Sequence, residues 1–184
     1  MYRKSWYVVF KDKMMKIIEI QTNKRLHMEL LLLADEQLDM IETYLERGTM
    51  FVLDDNGVKA ECVVTDEGNS VIEIKNIATY PAYQNKGYAK SLIAFVERKY
   101  KGKYKILRVG TGDSPLTIPF YKKCGFSESY RVKNFFTDHY DHPIYECGIQ
   151  LVDMVYLEKY FIWTIEEFKI FPTIKKSFVL ERNG

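Results

Sequence analysis

The stretch Val71 to Tyr100, VIEIKNIATYPAYQNKGYAKSLIAFVERKY, decides how the rest of the chain is read. Val71 to Thr79 alternates like a strand. From Gly87 on, Ala89, Leu92, Ile93 and Val96 fall at the spacing of one helix face. Between them lies a short basic loop, Gln84-Asn85-Lys86-Gly87-Tyr88-Ala89. A strand that enters a helix through a Gly-containing turn leaves backbone N–H groups without partners at the helix start. Those donors and the positive end of the helix dipole attract an anion, typically a phosphate. Gly87 lets the backbone approach closely, and Ala89 keeps the next turn slim. Lys86 and Lys90 add mobile positive charge. Taken alone, the loop also fits an ordinary strand–helix turn.

Working outward, Ile72, Ile74 and Asn76 are expected on one face of the strand, with Glu73, Lys75 and Ile77 on the other. Upstream, Thr49 to Asp54 and Val58 to Thr65 flank Asp55-Asn56-Gly57, a strong hairpin signal. A further turn, Glu67-Gly68-Asn69, completes an antiparallel meander. Leu26 to Leu33 reads as helical. Asp35 is expected to cap a second helix, Glu36 to Arg47, with Leu38, Ile41, Tyr44 and Leu45 on one face. Downstream, Lys103 to Gly110 is the next strand, parallel to the first because a helix crosses between them. Gly110-Thr111-Gly112 reads as too flexible to continue its ladder. Pro115 to Cys124 is a short helix, Phe126 to Val132 a strand, Phe135 to Tyr140 an aromatic loop, and Tyr145 to Leu157 a last strand. The first confident strand is Lys16 to Ile20. Met1 to Lys13 fits an extra strand, a tether or an early start. The aromatic tail Tyr156 to Gly184, with a turn or two of helix at Glu166 to Ile170, is too apolar for a solvated end. It packs on the domain or on a second subunit, which makes a homodimer one arrangement open to it.

With 184 residues, 47% hydrophobic and 28% charged, the chain is expected to form one globular domain. No apolar run approaches the ~20 residues of a membrane span, and the N-terminus lacks a signal-peptide segment. The net charge of +2 is well mixed, so neither nucleic acid nor a membrane surface is an expected partner. Cys62, Cys124 and Cys147 lie far apart and suggest reduced thiols in the cytoplasm. His139 and His142, with Asp138 and Asp141, sit three apart in a Pro-containing loop without a third strong ligand. No metal is expected there, and the loop is a candidate wall of an acceptor site.

Gln84-x-x-Gly87-x-Ala89 after a strand, followed in order by Phe120-Tyr121-Lys122-Lys123-Cys124-Gly125-Phe126, resembles the two signatures of the GNAT N-acetyltransferases. The first is similar to their acetyl-coenzyme A pyrophosphate loop, the second to their aromatic-Tyr-x-Lys-x-Gly-Phe run. The resemblance covers Lys16 to Leu157. It implies an α+β, three-layer α/β/α fold, with a mixed, mainly antiparallel central sheet splayed by a β-bulge and helices on both faces. The acetyltransferase domain would then be residues 15–157, with an N-terminal extension 1–14 and an aromatic-rich C-terminal extension 158–184. The implied activity is direct transfer from acetyl-coenzyme A to an amine.

That chemistry makes four demands. Backbone donors of Gln84, Asn85, Lys86, Gly87, Tyr88 and Ala89, with Lys90, would hold the pyrophosphate. The amide-rich arm would pair with a strand edge, at a bulge formed by Ile77, Ala78 and Thr79. A base must take the amine proton. The resemblance points to Glu73, whose bland reading is a solvent-facing or Lys-paired strand residue. The leaving thiolate needs a proton donor, for which Tyr121, with an ordinary pKa of about 10, is the candidate; otherwise it is a buried tyrosine with a satisfied hydroxyl. The oxyanion would be met by the N–H of Ala78 or a neighbour. Ser114 stands where the family often has an arm-contacting Asn. Its hydroxyl can substitute as a donor, beside Asp113. The acceptor is expected to be a small-molecule amine, since nothing suggests a peptide groove. A non-catalytic acyl-coenzyme A-binding sensor is the alternative.

Overall fold

The computed structural model describes residues 4–10 and 13–162. Tight turns and alternating apolar residues build one large sheet from β1 Ser5–Phe10, β2 Lys13–Ile20, β3 Thr49–Asp54, β4 Val58–Asp66, β5 Val71–Thr79, β6 Ile106–Gly112, β7 Ser127–Val132 and, beyond a separate hairpin of β8 Tyr145–Glu146 and β9 Ile149–Gln150, β10 Met154–Tyr160. Their order in the sheet is 1-2-3-4-5-6-10-7. The β3–β4 turn needs left-handed backbone at Asn56 and Gly57, with φ of 55° and 98°. β5 and β6 are parallel, joined across one face by α3 Tyr88–Tyr100, and the other described pairs are antiparallel.

Each face buries its own core. On one side α3 and α4 Thr117–Lys123 set Leu92, Val96, Ile118 and Tyr121 on Phe51, Val64, Ile74 and Leu107. On the other, α1 Met28–Leu31 and α2 Leu38–Leu45 set Leu31, Ile41 and Leu45 on Ile18, Met50, Val52 and Val63. The result is a three-layer α+β fold. Among the described residues no helix is long and apolar enough to cross a membrane.

Several elements differ from their sequence reading. Of the readings left open for Met1 to Lys13, the strand is what forms: β1 runs along β2, and Trp6 packs on Phe95 and Phe51. α1 is preceded by a 3₁₀ turn, Lys24–His27. Gln37, not Asp35, is the N-cap residue of α2, because the Asp35 carboxylate is drawn to the hydroxyls of Tyr44 (3.3 Å) and Tyr140 (3.0 Å). Gly110 to Gly112 do continue the ladder, opposite Met154 to Tyr156. The lack of side chains at Gly110 and Gly112 makes room for Met154 and Leu151, which a Cβ would meet at 2.7 and 2.4 Å. Phe135–His139 is a short helix, α5, rather than a loop. The expected last strand is broken into β8, β9 and β10, with left-handed Cys147 and Gly148 turning the chain between β8 and β9. Phe161 is buried in the core, with its N–H on the Lys105 carbonyl at 2.9 Å. The rest of the expected tail, including Glu166 to Ile170, lies outside the described residues.

The bulge is also displaced. Val63 pairs with Asn76 and Val64 with Ile74, so Lys75 is the extra residue, two positions before the expected Ile77. An extra residue inverts the alternation after it. Ile72, Ile74 and Ile77 therefore pack toward α3, while Asn76 turns to the α1–α2 side, where its Nδ2 donates to the Leu31 carbonyl. The expected grouping of Asn76 with Ile72 and Ile74, and of Ile77 with Glu73, is overturned.

Phe51 is fully buried and meets Trp6, Phe95 and Tyr100 edge-on. Phe51→Ala should therefore cost about 3–5 kcal/mol, read as a lower urea midpoint at unchanged slope.

Candidate active site

Parallel pairing of β5 with β6 ends at Ile74↔Val109. Beyond the Lys75 bulge, β5 stays on β4 and β6 stays on β10, so the two strands part. A cavity of about 410 Å³ opens there. Its wall brings together Glu73, Ile77, Ala78, Thr79, Gln84 and Tyr121 from the sequence-predicted set. Asn85, Lys86, Gly87, Tyr88, Ala89 and Lys90 are not in that wall; they form the entry to α3. Asn85 and Gly87 are left-handed, with φ of 60° and 88°, and Gly87 is the N-cap residue. Tyr88 turns its side chain inward to Asp55 (2.6 Å), which pushes its hydroxyl up to about 12. Its contribution at the helix start is confined to its main chain. Lys86 lies over the Tyr83 ring at 5.0 Å. Ser114 is not in the cavity wall: it is buried, and its Oγ accepts the Leu116 N–H at 3.1 Å to close the turn before α4.

Tyr121 is 6% exposed, flanked edge-on by Phe120 and Phe126. Burial pushes its hydroxyl above the usual tyrosine range, so it stays protonated at neutral pH. Glu73 is buried too. Lys75 Nζ lies 2.7 Å from one of its oxygens, and Arg108 3.9 Å from the other.

The wall also holds groups that sequence reasoning did not assign. Tyr44 donates to Asp35 and accepts from Asn76 Nδ2 at 2.9 Å. Burial raises the Asp35 carboxyl, against the pull of the Tyr140 bond, and raises the Tyr44 hydroxyl, helped by Asp35. Phe135, Phe136 and Tyr140, from the stretch that the sequence reading offers as a candidate acceptor wall, also line it. Among the described residues four carboxylates line the cavity, Asp35, Glu36, Glu73 and Glu146, against one cation, Lys75. Residues 35–37 are tied to 140–142. Beside the Tyr140–Asp35 bond, Asp141 N–H donates to Gln37 Oε1 at 3.0 Å, and His142 lies 3.8 Å from Glu36. His142 is held above its usual range, first by Asp141. His139 stacks on Phe135 at 4.5 Å. Among the described residues no three His, Cys, Asp or Glu side chains gather as metal ligands.

Residues 46–128 match the family model described as an acetyltransferase (GNAT) domain. YvbK of Bacillus subtilis (strain 168), an uncharacterized N-acetyltransferase, is 36% identical over 140 residues, 74% of this chain and 90% of that protein. A GNAT acetyltransferase of Elizabethkingia anophelis, solved with acetyl-CoA bound, superposes with a TM-score of 0.75 at 35% identity, over 79% of this chain and 97% of that one. A Bacillus subtilis acetyltransferase solved in complex with CoA gives 0.73 at 33% identity, over 79% and 98%. The chain belongs to the GNAT acetyltransferase family, and by that membership it is an N-acetyltransferase.

Glu61 on β4 is fully buried, and burial pushes its carboxyl up to about 8, weakly opposed by the Ala78 amide. The unfolded chain releases this proton near the ordinary glutamate value of 4.5, the folded one near 8. Between those values the folded state binds more protons, so stability falls as pH rises, by up to about 1.4 kcal/mol per pH unit. Thermal melts from pH 5 to 8 should show the parent losing stability relative to Glu61→Gln; parallel curves would refute this.

Proposed function

We propose that the protein transfers an acetyl group from acetyl-coenzyme A directly to the primary amine of a cationic small molecule. The observation that carries this reading is the parting of β5 from β6 at Lys75, which opens a cavity with Tyr121 in its wall. The residues present fit the co-substrate. Main-chain groups of Ile77, Ala78 and Thr79 border the gap and suit a chain of amides. The first turn of α3, after left-handed Gly87, suits a pyrophosphate, with Gln84, Asn85, Lys86 and Lys90 around it and the Tyr88 and Ala89 amides in the turn.

When bound, acetyl-coenzyme A supplies an activated thioester. A main-chain N–H of the Ile77–Thr79 segment would steady the acyl oxygen. Tyr121 would donate its proton to the leaving sulfur. We assign the amine proton to Glu73, which shares the cavity and is turned toward cations. Ser114 we leave to its turn. The acidic, aromatic wall supports a cationic acceptor, and the tie between residues 35–37 and 140–142 supports a small one. We assign the catalytic unit to residues 15–157, and place the protein in the cytoplasm on its free thiols.

Thiol release from acetyl-coenzyme A over a panel of diamines and aromatic amines tests the activity. Tyr121→Phe should lower kcat about 10²-fold with the acetyl-coenzyme A dissociation constant little changed. A parent that binds the co-substrate without turning over any amine would instead favour the sensor reading. Gly87→Val, forced into φ of 88°, should weaken acetyl-coenzyme A binding by calorimetry, about tenfold or more; unchanged affinity would move the anion site elsewhere.

A further inference from the structure

Glu61 has no part in that scheme, yet apart from a weak approach of the Ala78 amide neither of its carboxyl oxygens makes a hydrogen bond. Asn76, on β5, has the matching defect. Its Nδ2 donates to the Leu31 carbonyl at 3.0 Å and to the Tyr44 hydroxyl at 2.9 Å. A main-chain carbonyl can only accept, so the NH₂ end of this amide is fixed and Oδ1 must point the other way. Oδ1 is buried and has no donor.

The ladder makes the two residues neighbours. Glu61 stands opposite Ala78 and Val63 opposite Asn76, so Glu61 and Asn76 form a diagonal pair on the α1–α2 face. Long side chains span such a diagonal. Two groups that both accept cannot help each other, but a neutral carboxylic acid carries one O–H to give.

We propose that Glu61 is kept as a neutral acid whose O–H donates to Asn76 Oδ1, and that this bond makes it a positioning residue for the bulge beside the acyl site. What the bulge positions rests on the function proposed above; the proton itself does not. The surroundings agree. From α2, Tyr44 acts with its hydroxyl kept protonated by burial, and Asp35 stands behind it. Cys62 follows on the same strand and Tyr121 acts from α4, both held neutral by burial. Lys59, on the same strand face, directs Nζ to the Asn56 carbonyl and the Tyr83 ring, and Glu29 of α1 engages the Tyr80 hydroxyl. Asp54 of β3 accepts the Gly57 N–H. Among the described residues no cation is placed to hold Glu61 ionised.

The first test needs no ligand. Infrared difference spectra of the folded chain at pH 7, parent against Glu61→Gln, should show one buried neutral carboxylic acid in the parent; its absence overturns the inference. The second follows the acetyl-coenzyme A dissociation constant from pH 7 to 9.5. The parent should weaken about tenfold as the bond to Asn76 is lost. In Glu61→Gln the carboxamide N–H replaces the acid O–H, and the alkaline weakening should largely disappear. An alkaline loss that is equal in both proteins, or absent from the parent, overturns the positioning role. If acetyl-coenzyme A binds neither protein, the function reading fails while the infrared result still decides the proton.

Discussion

Between Ile74 and Asn76 the ladder from β4 to β5 skips Lys75, and from that point β5 ceases to pair with β6. Both consequences come from the one extra residue. The strands separate because β5 keeps its bonds to β4 while β6 keeps its bonds to β10. The side chains after Lys75 exchange faces, which carries Asn76 from the α3 core to the α1–α2 side. Without that inversion Tyr44 would have no amide to accept from, and Asp35 would lose the hydroxyl that Asn76 helps to orient.

The chain sorts its charges by location although its total is near balance. Lysines gather around the start of α3, and carboxylates gather around the cavity. An anionic co-substrate and the cationic acceptor proposed above would thus be drawn to different parts of the surface.

The parts of the site that were legible in the sequence are local. Gly87 ahead of a helix, and Tyr121 within its aromatic run, carry their meaning within a few neighbours. The parts that were missed depend on pairing. A period-two pattern gives no sign of which residue will be left over; the family resemblance puts the bulge at Ile77 to Thr79, and the ladder puts it at Lys75. Asp35 has the chemistry of a helix cap, and two tyrosines, one from far along the chain, claimed its carboxylate instead. Gly110 to Gly112 have low strand propensity, which β10 overrides by lying alongside and filling the space above them. Glu61 sits at an alternating position in β4 that would be wet on an uncovered sheet. That α1 covers it could not be known before the helices were placed.

The contacts between residues 35–37 and 140–142 join loops that are far apart along the chain. They tie two sides of the cavity rim into a hoop. A lysine presented on the surface of a folded protein would have to break that hoop to reach the sheet, whereas a free amine need only be narrow enough. For the small acceptor proposed above, molecular girth would then be a filter that acts before any of the enzyme's polar groups are consulted.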